Sequence, residues 1–188
     1  MSDTFDDVYM GTALLHAKKS KAARYDRYFM DIAYRSAEMS YAKRLRVGAV
    51  ITRDNRIIST GFNGSPPGHD NCCEIETENG VLISKKSTIH AEENAILFAA
   101  RTGISTENAT IYCTHSPCFF CARLIVSAGI RSVIYSEKYR DDEGVRFLID
   151  SSVSIVELNT KSTTPKEIDD FETSTSHNPE TYGWFKRS

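Results

Sequence analysis

From His90 onward, short apolar runs alternate with stretches of helical length, and that alternation constrains the fold more than any other feature of the chain. The spacing predicts helices over 90–101, 117–129 and 143–149, and strands over 109–114, 132–135 and 153–158. Strands separated by helices of this length must run parallel in part, with the helices packed on the sheet faces. Upstream the pattern differs. An interrupted apolar stripe (Tyr28, Phe29, Ile32, Ala33, Ala37, Ala42) predicts a helix over 26–45. Apolar runs over 47–51 and 57–62 flank the turn pair Asp54-Asn55, which reads as a hairpin. A Gly- and Pro-rich loop over 63–71 follows, then a polar excursion over 72–87 whose one apolar piece is Val81-Leu82-Ile83.

These elements define one domain over 26–158, an N-terminal extension over 1–25 and a polar tail over 159–188. The extension holds a basic patch, Lys18-Lys19-Ser20-Lys21, and reads equally as a helix, an arm or a disordered segment. The tail's apolar cluster is Tyr182-Gly183-Trp184-Phe185. With 23 basic against 25 acidic residues the chain lacks the basic footprint of an electrostatic nucleic-acid binder. No apolar run approaches the roughly 20 residues that span a bilayer, and the acidic first residues lack a signal peptide's pattern, so a cytoplasmic location is expected. Thiols stay reduced there, and five cysteines cannot all pair within one chain, which points any close pair toward metal or catalysis.

The close pair is Cys118 and Cys121, at the head of a predicted helix in the run Pro117-Cys118-Phe119-Phe120-Cys121. Three positions apart, their sulfurs fall on one face and can grip one ion. His90, in His90-Ala91-Glu92, heads the neighbouring predicted helix and supplies a third ligand. Three protein ligands leave a fourth tetrahedral position for water, the pattern of catalytic zinc. Two thiolates neutralise Zn²⁺, so a carboxylate is needed to move protons, and Glu92 is the candidate. On a regular helix Glu92 would point about 200° from His90, so both reach one site only where the chain is entering the helix. The competing readings are a thioredoxin-like redox pair, which leaves His90 and Glu92 unused, and a structural zinc half-site, which needs Cys72 or Cys73.

The ordered combination of H-A-E with P-C-x-x-C is the zinc-deaminase signature. Over about residues 26–158 the sequence resembles the cytidine/deoxycytidylate deaminase family, its deoxycytidylate branch in particular, and is similar to phage-encoded members. The resemblance rests on Val47-Gly48-Ala49-Val50, the loop Gly61-Phe62-Asn63-Gly64-Ser65-Pro66-Pro67-Gly68, the stretch from His90 to Ile96, and Ser116-Pro117-Cys118-Phe119-Phe120-Cys121. Ala128-Gly129-Ile130 and Lys138-Tyr139-Arg140-Asp141 extend it. It implies an α/β fold of three layers (α-β-α) around a central five-stranded mixed sheet. It also implies zinc on His90, Cys118 and Cys121, and Glu92 shuttling protons during hydrolysis of dCMP to dUMP and ammonia, a reaction that feeds thymidylate synthesis.

Further roles follow from the resemblance. Backbone near Ser116 would hold the pyrimidine and Asn63 the deoxyribose, although Asn63 also reads as a turn residue. A monophosphate calls for cations, for which Arg46 and Arg140 are candidates or else solvated surface charges, while Tyr139 would pack on the substrate or in the core. Family members are hexamers activated by dCTP and inhibited by dTTP. That makes Gly64, Ser65, His69, Asp70 and Asn71 candidate effector residues, with Mg²⁺ accompanying the triphosphate. Some phage members hold a second zinc between the Gly-rich loop and H-A-E; here that segment has Cys72 and Cys73 but no histidine between His69 and His90, so an unligated pair is expected. The expected partners are a nucleotide substrate, nucleotide effectors and further copies of the chain, with neither nucleic acid nor membrane. Deaminases of free cytidine, of dCTP, of tRNA adenosine or of polynucleotide cytosine share the same machinery, and a zinc-stabilised module without catalysis is the alternative from another class.

Overall fold

The computed structural model describes residues 4–158, so the aromatic cluster expected in the tail lies outside the described residues. Helix α1 spans Thr4–Glu38. It starts well before Asp26, the expected first residue, because the Ala- and Lys-rich stretch ahead of it has high helix propensity. It also stops before Leu45. The Ser40 hydroxyl accepts the N–H of Ala42 and donates to the Asn63 carbonyl, which diverts the backbone from the helical ladder.

Strands β1 (Gly48–Arg53) and β2 (Arg56–Phe62) form the expected hairpin, with Asp54 and Asn55 both at positive φ as a tight turn of this hand requires. The polar excursion contains a second hairpin, β3 (Glu74–Glu76) with β4 (Leu82–Ser84), outside the main sheet. Alternation follows: α2 (Ala91–Arg101), β5 (Thr110–His115), α3 (Phe119–Ser127), β6 (Ser132–Glu137), α4 (Glu143–Asp150) and β7 (Ser154–Glu157). The five-stranded sheet has the order β2-β1-β5-β6-β7. β1 is antiparallel to both neighbours, whereas β5, β6 and β7 run parallel, so the sheet is mixed as expected.

Strand periodicity divides the core in two. Val50, Tyr112 and Ile134 face α1, where Phe29, Met30 and Ala33 bury them. Their neighbours Ala49, Ile51, Ile111, Cys113, Val133 and Tyr135 face the other way, onto α2, α3 and α4. Gly61 permits the close approach of β2 to α2: a Cβ there would strike the backbone of Ala91 and Ala95. Gly144 does the same for α4, whose first residues lie against the Pro117 carbonyl and Cys118. The turns that begin α2 and α3 are thus held by backbone contact as well as by side-chain packing.

Candidate active site

Both motifs sit at helix starts, and this resolves the angular problem. His90 is the residue before α2, with extended backbone (φ −75°, ψ 160°), so its side chain is not on the helical wheel that carries Glu92. Cys118 holds the same place before α3 (φ −70°, ψ 169°), with Cys121 in the first turn. The Glu93 carboxylate accepts the His90 N–H at 3.4 Å and closes the α2 start.

The ring Nδ1 of His90 lies 3.5 Å from Cys118 Sγ and 3.3 Å from Cys121 Sγ, and the three ligand atoms fall within 4.8 Å of one another. Bond lengths of about 2.3 Å to sulfur and 2.1 Å to nitrogen at a tetrahedral angle require a separation of about 3.6 Å. The donor set and its spacing therefore fit Zn²⁺ with one position left for a non-protein ligand. It is the one group of this kind among the described residues. Hydrogen bonds from Cys121 and His90 hold the Cys118 thiol well below its ordinary range, and the same contact pushes Cys121 and His90 up.

Glu92 is 4% exposed, and burial pushes its carboxyl above the usual carboxylate range. It shares a cleft of about 410 Å³ with His90 and Cys118. Asn63, Ser116, Tyr139 and Arg140 line that cleft. Asn63 accepts the Val47 N–H at 2.8 Å and donates to the Leu45 carbonyl at 2.9 Å, so it braces the chain entering β1. The Ser116 N–H donates to the Glu137 carbonyl, and its hydroxyl oxygen accepts the Tyr139 N–H at 2.7 Å. This ties the β6–α4 loop to the metal turn. The Arg140 guanidinium lies 5.1 Å from the Tyr139 ring centre.

Arg46 lies outside the cleft lining: its Nε is turned back on the Ala42 carbonyl at 3.4 Å. Arg44, two residues earlier in the same cationic run, lines the cleft instead, as does Lys138. Gly64, Ser65, His69, Asp70 and Asn71 are absent from the lining. Gly64 bridges to Ile89, and Asp70 pairs with Lys85 at 3.3 Å. Cys72 and Cys73 donate to different carbonyls, those of Glu74 and Asn71, rather than converging on one point.

His115, Glu74 and Ser84 also line the cleft and were not singled out by the sequence. His115 stands between Thr114 Oγ1, 3.1 Å from its Nδ1, and the Glu137 carboxylate, 3.6 Å from its Nε2. Burial lowers its pKa from the ordinary value, and Glu137 opposes that only in part. The one signal for it was its place directly before Ser116.

A His/Cys/Cys set beside a buried carboxylate, at paired helix starts on a mixed sheet, defines the class of zinc-dependent deaminases. The model of the cytidine and deoxycytidylate deaminase zinc-binding region matches residues 23–137. Deoxycytidylate deaminase of Enterobacteria phage T4 is 40% identical over 147 residues, covering 58% of this chain and 76% of the phage protein. The Schizosaccharomyces pombe deoxycytidylate deaminase is 36% identical over 135 residues, covering 68% of this chain but 42% of the yeast protein, so the match spans under half of that relative. Among solved structures, the dCMP deaminase of cyanophage S-TIM5 in complex with dCMP and dUMP is similar with a TM-score of 0.65 and 34% identity, over 70% of this chain and 95% of that one. The chain belongs to the cytidine and deoxycytidylate deaminase family, and it is a deaminase.

Proposed function

We propose that the protein hydrolyses the amine of dCMP, giving dUMP and ammonia. The observation that carries this reading is the composition of one cleft, whose lining joins His90, Cys118 and the buried Glu92 to Arg44, Lys138 and Arg140. Free cytidine has no use for that cationic lining, whereas a monophosphate dianion does. The names of the phage and yeast relatives support the same substrate.

His90, Cys118 and Cys121 would hold the metal, and Glu92 would do the proton work. Zn²⁺, when bound, lowers the pKa of water enough to make it a nucleophile near neutral pH. Glu92 would take one proton from the attacking water as the C4–O bond forms and pass it to ring N3, then take the second from the resulting C4 hydroxyl and pass it to the departing amine as the C4–N4 bond breaks. A carboxyl raised by burial suits this cycle, because it must hold a proton as readily as release it. Asn63 and Ser116 shape the sugar and base positions through the backbone they brace, and Tyr139 borders the substrate.

The catalytic unit in this reading is 26–158. Regulation by dCTP and dTTP with Mg²⁺ through Gly64, Ser65, His69, Asp70 and Asn71, in a homo-hexamer, is proposed with it; the exposure of His69, Asp70 and Asn71 leaves them open to a ligand. Five free cysteines suit a reducing cytoplasm, and no helix of the described residues is long and apolar enough to cross a membrane. The test is ammonia release from the zinc-loaded protein with cytidine, dCMP and dCTP, the dCMP reaction being run with and without dCTP or dTTP. Preference for cytidine overturns the substrate, and dCMP kinetics unmoved by both triphosphates overturn the regulation.

A further inference from the structure

The polar excursion that carried no motif holds one rim cation of the cleft, Arg44, at both its backbone and its head group. Glu74 on β3 and Ser84 on β4 are direct cross-strand partners. Glu74 is buried, and its Oε1 accepts the N–H groups of Lys43 at 3.1 Å and Arg44 at 3.2 Å. The Ser84 hydroxyl accepts from the Arg44 guanidinium, Nη1 to Oγ, at 3.1 Å. One rung of the small hairpin therefore fixes both the backbone and the head group of the same arginine.

The three cations in the cleft lining differ in their commitments. Lys138 is paired with Glu157 at 3.2 Å, and Arg140 rests over the Tyr139 ring. Arg44 makes no ion pair among the described residues, and it lines the same cleft as His90 and Glu92. A neutral hydroxyl orients the guanidinium without cancelling its charge. An exposed arginine otherwise spends substantial side-chain entropy on each ligand it binds, and a fork held in advance spends less.

We propose that Glu74 and Ser84 are positioning residues that make Arg44 the phosphate-reading cation. The β3–β4 hairpin is then the element that selects a nucleoside monophosphate over the bare nucleoside. This deepens the dCMP reading and rests on it. The lysine and Arg140 contribute field at the rim, while Arg44 supplies the directed bidentate contact.

Equilibrium binding of dUMP and of deoxyuridine to the zinc-loaded full chain, by calorimetry, tests it without turnover. Ser84→Ala is expected to weaken dUMP about fivefold and leave deoxyuridine unchanged, with Arg44→Ala costing about tenfold or more on dUMP alone. Ser84→Thr, which keeps the hydroxyl, restores the affinity. In the Arg44→Ala background Ser84→Ala adds nothing, because the serine acts through the arginine. Additive losses, or equal losses for both ligands, overturn the proposal, as does Ser84→Ala with full dUMP preference. A wild-type protein that does not distinguish dUMP from deoxyuridine overturns the monophosphate reading itself, and this inference with it.

Discussion

Gly61→Ala tests whether the sheet-to-helix distance sets the site. Glycine to alanine ordinarily stabilises by about 0.4–1 kcal/mol through the unfolded chain. Here the new Cβ would lie 2.6 Å from Ala95 N and overlap the Ala91 carbonyl more deeply, whereas ordinary contact begins at 3.4 Å. The Ala95 clearance alone must grow by 0.8 Å (3.4 − 2.6). Helix α2 cannot slide away freely: Ser59 donates to the Ala95 carbonyl at 2.7 Å, and the Asn94 amide donates to the Phe62 carbonyl at 2.8 Å. Overpacking of this kind costs about 1–3 kcal/mol, which exceeds the entropic gain. At about 2–4 °C per kcal/mol for a chain of this size, Tm falls by roughly 2–12 °C. The same displacement moves Glu92 and His90 at the start of α2, and a misplacement near 1 Å costs on the order of 100-fold in rate. Calorimetric melting and ammonia release from dCMP measure both. A Tm within about 1 °C of wild type together with full turnover would refute the argument.

Three further outcomes follow from the site. Glu92→Gln keeps zinc by metal analysis but loses deamination by about 10²–10⁴-fold or more, since the amide cannot accept the water's proton; retained turnover sinks the mechanism. Chelation lowers the Tm of wild type by about 8 °C or more at metal concentrations near 1,000 times Kd, and His90→Ala, lacking one of the three ligands, shows little such difference between loaded and stripped protein. His115 is half-buried with a lowered pKa between Thr114 and Glu137, the latter also bonded by Tyr34, so the unfolded chain binds its proton more readily. Its contribution is complete above its ordinary value of about 6.5 and is lost as pH falls below it. Urea midpoints between pH 5 and 7.5 should slope less in His115→Gln than in wild type, and equal slopes would exclude His115 as the source.

Sequence alone determined which residues gather at the candidate site, and the layering. Cys118, Cys121, His90 and Glu92 were legible because metal chemistry restricts both residue type and spacing, and the β5–β7 alternation because apolar periodicity follows directly from which face is buried. Local turn chemistry likewise marked Asp54-Asn55. Tertiary structure decided what depends on contacts between segments far apart in the chain. Arg46 and Arg44 carry the same charge two positions apart, and the Ala42 carbonyl and Ser84 hydroxyl decide which guanidinium joins the cleft. The end of α1 was set by Ser40 reaching Asn63, although the apolar stripe continued to Ala42. Glu74 looked like one acid in a polar stretch until the fold buried it against the N–H groups of Lys43 and Arg44. Periodicity and motif spacing report a residue's own backbone and reactivity, whereas the partner of a hydrogen bond thirty residues away leaves no local trace.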